Sequence, residues 1–229
     1  MRCIVPMALV MTLVLAGGGA SAGSDTSVDS GAWVRHPTES FSITAGEVTV
    51  AQFRACVEAG ACDASNIDTR CNYGREGHES HPVNCVTFDG AEQYCRFAGG
   101  RLCTEPEWVA ACSGSDGRAF PYGGAFDAGA CNLRSNVNRE ANVGADTDPA
   151  ASRSTCEGGL AGLYDMAGNV AEWLNACKGD YCKFRGASYL SNEPIDHFAR
   201  CGGVCSGNQK KLKSNVVGIR CCRDAHPAE

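Results

Sequence analysis

Sixteen cysteines in a chain of 229 residues set the first constraint on what it can fold into. A chain so dense in thiols either pairs them as disulfides or gives them to metal, and the redox compartment decides which. The N-terminus reads as an export signal. Arg2 supplies a positive end, residues 4–16 form an apolar run, and Ala20-Ser21-Ala22 is the small-residue pattern that signal peptidase cleaves. The run is about half the ~20 residues that a spanning helix needs. No other segment is apolar enough to span a membrane. Residues 1–22 are therefore expected to be removed after Ala22, giving a secreted or periplasmic product. Oxidising surroundings favour disulfides over a zinc-knuckle reading of Cys177-x4-Cys182 and Cys201-x3-Cys205, whose spacings are irregular. Loss of Cys3 leaves an odd fifteen, so one thiol is unpaired or pairs between molecules.

Residues 23–32 are small and polar and read as a flexible leader. From Trp33 onward there is no linker-like break and no internal repeat, so residues 33–224 are expected to form one domain, with 225–229 as a tail. A net charge of -6 gives no basic surface for nucleic acid, although it permits cation binding.

Three short helices are legible. Residues 50–59 place Phe53, Cys56 and Val57 at helical spacing. Residues 89–98 put Ala91, Tyr94 and Cys95 on one face and stop at Gly99-Gly100. Thr104 and Glu107 form a capping box that opens a helix through Trp108 to Cys112, with Pro106 tolerated in its first turn. The remainder is rich in Gly, Asn, Asp and short apolar runs, as expected of irregular loops and small strands. His78 and His81 are the only close histidine pair, and their Gly- and Pro-containing surroundings read as a surface loop rather than a metal site.

The run from Gly162 to Trp173, GLYDMAGNVAEW, carries the most chemistry. Asp165 and Glu172 offer carboxylates, Asn169 an amide, and the Gly168-Asn169 turn can aim carbonyls inward. Hard oxygens of mixed type suit calcium, which accepts six to eight ligands in loose geometry. A capped turn beside a partly buried Trp173 is the competing reading.

Five further landmarks accompany this run: Glu47-Val48-Thr49, the stretch 101–108 (RLCTEPEW), 120–123 (FPYG), 185–189 (RGASY) and 217–221 (VGIRC). In this order, over residues 46–223, they resemble the sulfatase-modifying-factor, or formylglycine-generating-enzyme, family. The resemblance implies an α+β, C-type-lectin-like fold with little regular secondary structure and many cross-links. It implies two calcium sites. The first would use Asn132, the Leu133 carbonyl and Asp146, with Asp148 as the alternative carboxylate. The second would use Asp165 and Glu172 with the carbonyls of Gly168 and Val170. It also implies the disulfides Cys95–Cys221 and Cys112–Cys201. Proximity in sequence adds Cys56–Cys62, Cys71–Cys85, Cys131–Cys156 and Cys177–Cys182. Cys103–Cys222 then fits neighbouring positions and leaves Cys205 unpaired.

The active-site positions depart from the family pattern. Members that make formylglycine bind copper(I) through two thiols, three and eight residues after the Ser of the RGGS-like strand, because the soft ion prefers thiolate. Counted from Ser188, which is kept, those positions are Ser191 and Asp196, both hard oxygen donors. The tryptophan that the family places beside its oxygen site is Ala171. Copper is therefore not expected. The expected function is a non-catalytic, calcium-stabilised binding module for an unidentified protein or peptide ligand. The alternative is a formylglycine-generating oxidoreductase, or altered chemistry on the same scaffold.

Overall fold

A computed structural model describes residues 31–65, 67, 71–133, 146–191 and 195–225. The expected signal peptide, most of the leader and the tail beyond Ala225 lie outside the described residues. Helices α1 (Val50–Glu58), α2 (Phe88–Phe97) and α3 (Glu105–Ser113) form where their caps dictate. Thr49 accepts the Gln52 amide while the Gln52 side chain returns to the Thr49 amide, and Thr104 and Glu107 do the same for α3. Each reciprocal pair satisfies two backbone donors that a helix start otherwise leaves open. Thr87 caps α2 through the Gly90 amide, which starts that helix at Phe88, one residue before the sequence expectation. A fourth, five-residue helix, α4 (Ile195–Ala199), was not among the helices expected from the sequence.

Two four-stranded sheets hold these helices. The first joins β1 (Trp33–Arg35), β2 (Phe41–Thr44), β8 (Cys221–Asp224) and β3 (Arg101–Leu102), all antiparallel, so both ends of the domain meet in one sheet. The second runs β6 (Ser206–Gln209), β5 (Tyr181–Arg185), β4 (Ala171–Lys178) and β7 (Val217–Gly218), with β4 and β7 parallel. Most of the described chain between these elements is loop, the α+β character expected.

Strand alternation distributes the core. Consecutive residues of a strand point to opposite faces. Trp173 thus enters the cluster around Phe53, Tyr94 and Val83, while its neighbour Leu174 enters the cluster around Phe41, Ile43 and Trp108. Cys221 and Cys222 divide in the same way. Cys221 bonds Cys95 of α2 in the first cluster, and Cys222 bonds Cys103 in the second. One strand is therefore fastened on both faces. The other bridges are Cys56–Cys62, Cys71–Cys85, Cys112–Cys201, Cys131–Cys156 and Cys177–Cys182. These seven pairs are the ones expected from the sequence, and Cys205 is the free cysteine among the described residues.

Candidate functional site

The start of β4, the turn after β5 and the loop before β6 enclose a cavity of about 280 Å3. Its walls are mainly apolar, from Ala171, Phe184, Phe198, Val204 and Val216, with Ser188, Ser191 and Ser206 as polar points. Ser188 and Ser191 are closed on each other. The Ser191 hydroxyl accepts from the Ser188 amide at 2.8 Å, and the two hydroxyl oxygens lie 3.2 Å apart. Ala171, Ser188 and Ser191 are thus brought together as the family resemblance implies. Asp196 stands in the first turn of α4 and does not line the cavity. Cys201 is committed to Cys112, so it is no displaced catalytic thiol. Cys205 sits between the lining residues Val204 and Ser206. Arg185 at the rim is fixed by Glu105 and by the Gly203 carbonyl at 2.7 Å, which holds the 201–204 loop against β5.

Behind this cavity two oxygen-rich loops interlock through Asn169. Its backbone amide donates to the Asn132 carbonyl at 2.9 Å, and its side-chain oxygen accepts from the Asp148 amide at 2.9 Å. Its side-chain nitrogen donates to Glu47 at 2.6 Å. Asn169 has a left-handed φ of 53°, which an Asn side chain tolerates better than most. Its carbonyl accepts from the Tyr189 amide, so the same residue ties the loops to the cavity wall.

In the first loop, Asn132 donates from its side-chain nitrogen to the Asp146 carbonyl at 2.9 Å. Its side-chain oxygen is buried without a hydrogen-bond partner. Asp146 is forked by Arg75, which holds its carboxyl down to about 2. Asp148 pairs with Arg153. The His78 and His81 rings lie 4.3 Å apart between centroids, tilted by 35°, beside Asp146 and Thr147. Burial and then the His78 neighbour lower the His81 pKa.

In the second loop, Glu172 has both oxygens engaged, one by Trp108 Nε1 at 2.6 Å and one by Arg220 Nε at 2.7 Å. Asp165 accepts from the Ala151 amide at 2.6 Å. Glu47 joins them, accepting from the Val170 amide at 2.9 Å. Burial, then the charges of Asp165 and Glu172, push the Glu47 carboxyl well above its ordinary range, and burial raises Asp165 and Glu172 as well. Three buried carboxyls therefore surround one buried guanidinium. Sequence reasoning missed Glu47 and Arg220 as site residues, although both stand in the landmarks that carry the resemblance. Among the described residues no three His, Cys, Asp or Glu side chains converge closely enough to hold a metal.

Residues 7–225 match the Sulfatase-modifying factor enzyme 1-like domain. The chain belongs to this family. Curated relatives include the inactive Cα-formylglycine-generating enzyme 2 of Bos taurus, 32% identical over 153 residues, covering 63% of this chain and 50% of the relative. The formylglycine-generating enzyme of Streptomyces coelicolor is 31% identical over 173 residues, covering 65% and 54%. The serine/threonine-protein kinase Pkn1 of Chlamydia trachomatis serovar L2 is 41% identical over 169 residues, covering 65% of this chain and 25% of the kinase. The chain thus spans from a quarter to about half the length of these relatives. Among solved structures, CarF superposes with a TM-score of 0.61 at 22% identity over 81% of this chain and 87% of that one. PvdO from Pseudomonas aeruginosa gives 0.61 at 22% identity over 80% of each. The C-type-lectin-like, formylglycine-generating-enzyme-like fold of this family member is the fold those two structures share.

Proposed function

We propose that this member of the sulfatase-modifying-factor family is a non-catalytic binding module that receives a peptide segment at the Ser188–Ser191 cavity. The observation that carries the reading is the Ser191 hydroxyl, 3.2 Å from that of Ser188, standing in the cavity where the family resemblance implies the first copper-binding thiol. A hydroxyl in place of that thiol is a poor ligand for copper(I), and the apolar walls suit a buried side chain. The bovine relative named as an inactive formylglycine-generating enzyme supports the reading by example. Seven disulfides, and no helix among the described residues long and apolar enough to cross a membrane, are consistent with a secreted or periplasmic site of action.

Calcium fits the first loop. The buried Asn132 oxygen, without a hydrogen-bond partner, is a hard acceptor next in sequence to Leu133; the Asp146 and Asp148 carboxylates, paired with Arg75 and Arg153, would have to be shared with the ion. Bound there, the ion would supply cross-linking charge and no redox chemistry. The second loop fits less well, because Arg220 neutralises Glu172 inside the core and, among the described residues, no buried side-chain oxygen of that loop lacks a hydrogen bond.

The deciding experiment incubates purified protein with a cysteine-containing sulfatase-type peptide, copper(I) and oxygen, and follows peptide mass and peptide binding together. Binding without conversion of cysteine to formylglycine is expected. Conversion would overturn the reading.

A further inference from the structure

Strand β6 ends the second sheet, and no described strand pairs with its outer side. The opposite end of that sheet is closed, since both residues of β7 are buried. The register of β6 on β5 decides which of its backbone groups face outward. Tyr181 lies opposite Gln209 and Lys183 opposite Gly207, which puts Asp180 opposite Lys210. The Lys210 amide donates to the Asp180 carbonyl at 2.8 Å. In an antiparallel ladder such bonded pairs recur at every second residue. Ser206, Asn208 and Lys210 therefore turn their backbone groups in to β5, and Gly207 and Gln209 turn theirs out.

Gln209 is satisfied locally. Its amide donates to Asn208 Oδ1 at 2.8 Å, and its carbonyl accepts from the Leu212 amide at 2.9 Å. Gly207 has no such substitute among the described residues, and it is only half-buried. Natural sheet edges are usually blunted by proline, lysine or a bulge. Residues 204–209, Val-Cys-Ser-Gly-Asn-Gln, hold no proline or lysine, and the β5–β6 register runs without a shift. Val204, just before the strand, is 55% exposed although apolar. Val204 and Ser206 both line the Ser188 cavity. The Gly207 position faces the other way, where an added Cβ would meet the Tyr181 ring at 2.5 Å.

We propose that the peptide segment received at the Ser188 cavity binds as a fifth strand of the second sheet, bonded through its main chain to Gly207 on the open edge of β6, with one apolar side chain in the cavity. The inference rests on the binding reading above and adds the ligand's conformation. Residues opposed across a sheet share a face, so a peptide residue opposite Ser206 points to the cavity side. The cavity, about 280 Å3, is at the small end for a ligand pocket and suits one inserted side chain. Main-chain bonds at an edge give affinity, and a pocket for an alternate side chain gives selectivity.

The test follows amide hydrogen exchange by NMR in the 15N-labelled protein, with the cysteine-containing peptide of the deciding experiment as probe. In the free protein the outward Gly207 amide is expected to exchange about tenfold or more faster than the inward Asn208 amide. Saturating peptide is expected to slow Gly207 by about tenfold or more and to shift the Ser188 and Ser191 signals. Peptides N-methylated at one residue at a time are then expected to lose affinity in alternation, about tenfold at every second residue along β6 and little between. An aspartate scan of the same peptide is expected to find one side chain whose replacement costs about tenfold. Signal shifts at Ser188 without slowing at Gly207 would overturn strand addition and leave the binding reading standing. A Gly207 amide already protected in the free protein, methylation losses without alternation, or an aspartate scan without a costly position would do the same. No shift at Ser188 or Ser191 would overturn both.

Discussion

Arg220 and Glu172 form an ion pair, Nε to Oε1 at 2.7 Å, with both side chains removed from solvent. The remaining Arg220 donors go to the Thr44 and Tyr164 carbonyls at 2.7 Å each, and the second Glu172 oxygen takes Trp108. One buried contact set therefore links β2, α3, β4 and the 162–169 loop. Removing one partner leaves an uncompensated charge in the core. Arg220→Ala is expected to cost about 3–5 kcal/mol, a fall in melting temperature on the order of 10 °C. Thermal unfolding followed by circular dichroism, disulfides intact, checks it. A loss of no more than about 1 kcal/mol would show that the pair is not holding these elements together.

Glu105 supplies a pH-dependent contribution at the cavity rim. Its hydrogen bond to Lys183, then that to Arg185, holds its carboxyl below the ordinary 4.5. A carboxyl lowered on folding stabilises above its unfolded value, and that stabilisation disappears as pH falls from about 4.5 through the folded value. Glu105→Gln should therefore cost up to about 1 kcal/mol at pH 7, since the group is partly exposed and screened. The difference from the parent should close as pH falls below that window. A gap that stays constant with pH would place the effect in packing rather than charge.

Local signals in the sequence located what local chemistry determines. The Thr104–Glu107 box gave the start of α3, because a cap and its partner lie three positions apart, and apolar spacing gave the starts of α1 and α2 to within a residue. The short bridges, such as Cys56–Cys62, followed from proximity. The pairing of Arg35, Ser42 and Arg223 did not, since it needs strands from opposite ends of the chain in one sheet. Neither did the burial of Arg220 against Glu172, 48 residues apart, or the gathering of Glu47 with Asp165. A lone Arg or Glu in sequence is usually a surface residue, and only the fold shows which have lost their water. Helix α4 was missed because five residues carry too little pattern to separate them from loop.

Asn132 gives the calcium proposal its sharpest test. An ion bound only by the folded chain stabilises it by mass action, so free calcium at 100 times its dissociation constant adds about 2.7 kcal/mol. Chelation should lower the melting temperature of the parent protein, and Asn132→Ala should abolish most of that response. If chelator leaves the melting curve of the parent unchanged, the first loop is held by Arg75, Arg153 and Asn169 alone.

The cross-links predict a graded response to removal. Cys95–Cys221 and Cys103–Cys222 close spans of 126 and 119 residues, whereas Cys56–Cys62 and Cys177–Cys182 close spans of 6 and 5. Chain entropy assigns about 5 kcal/mol to each long bridge and about 2 kcal/mol to each short one. The C95A/C221A double variant should therefore lose more than twice the stability lost by C177A/C182A, measured by denaturant unfolding without reductant. Cys221 and Cys222 face opposite clusters, so losing one long bridge should leave the other intact. A thiol reagent applied to the unreduced, denatured chain cleaved after Ala22 should then find one sulfhydryl, at Cys205, and none in C205S. Two or more thiols in the parent would mean that a long bridge is unformed, and equal stability losses for long and short bridges would mean that residual structure in the unfolded chain, not loop length, sets their worth.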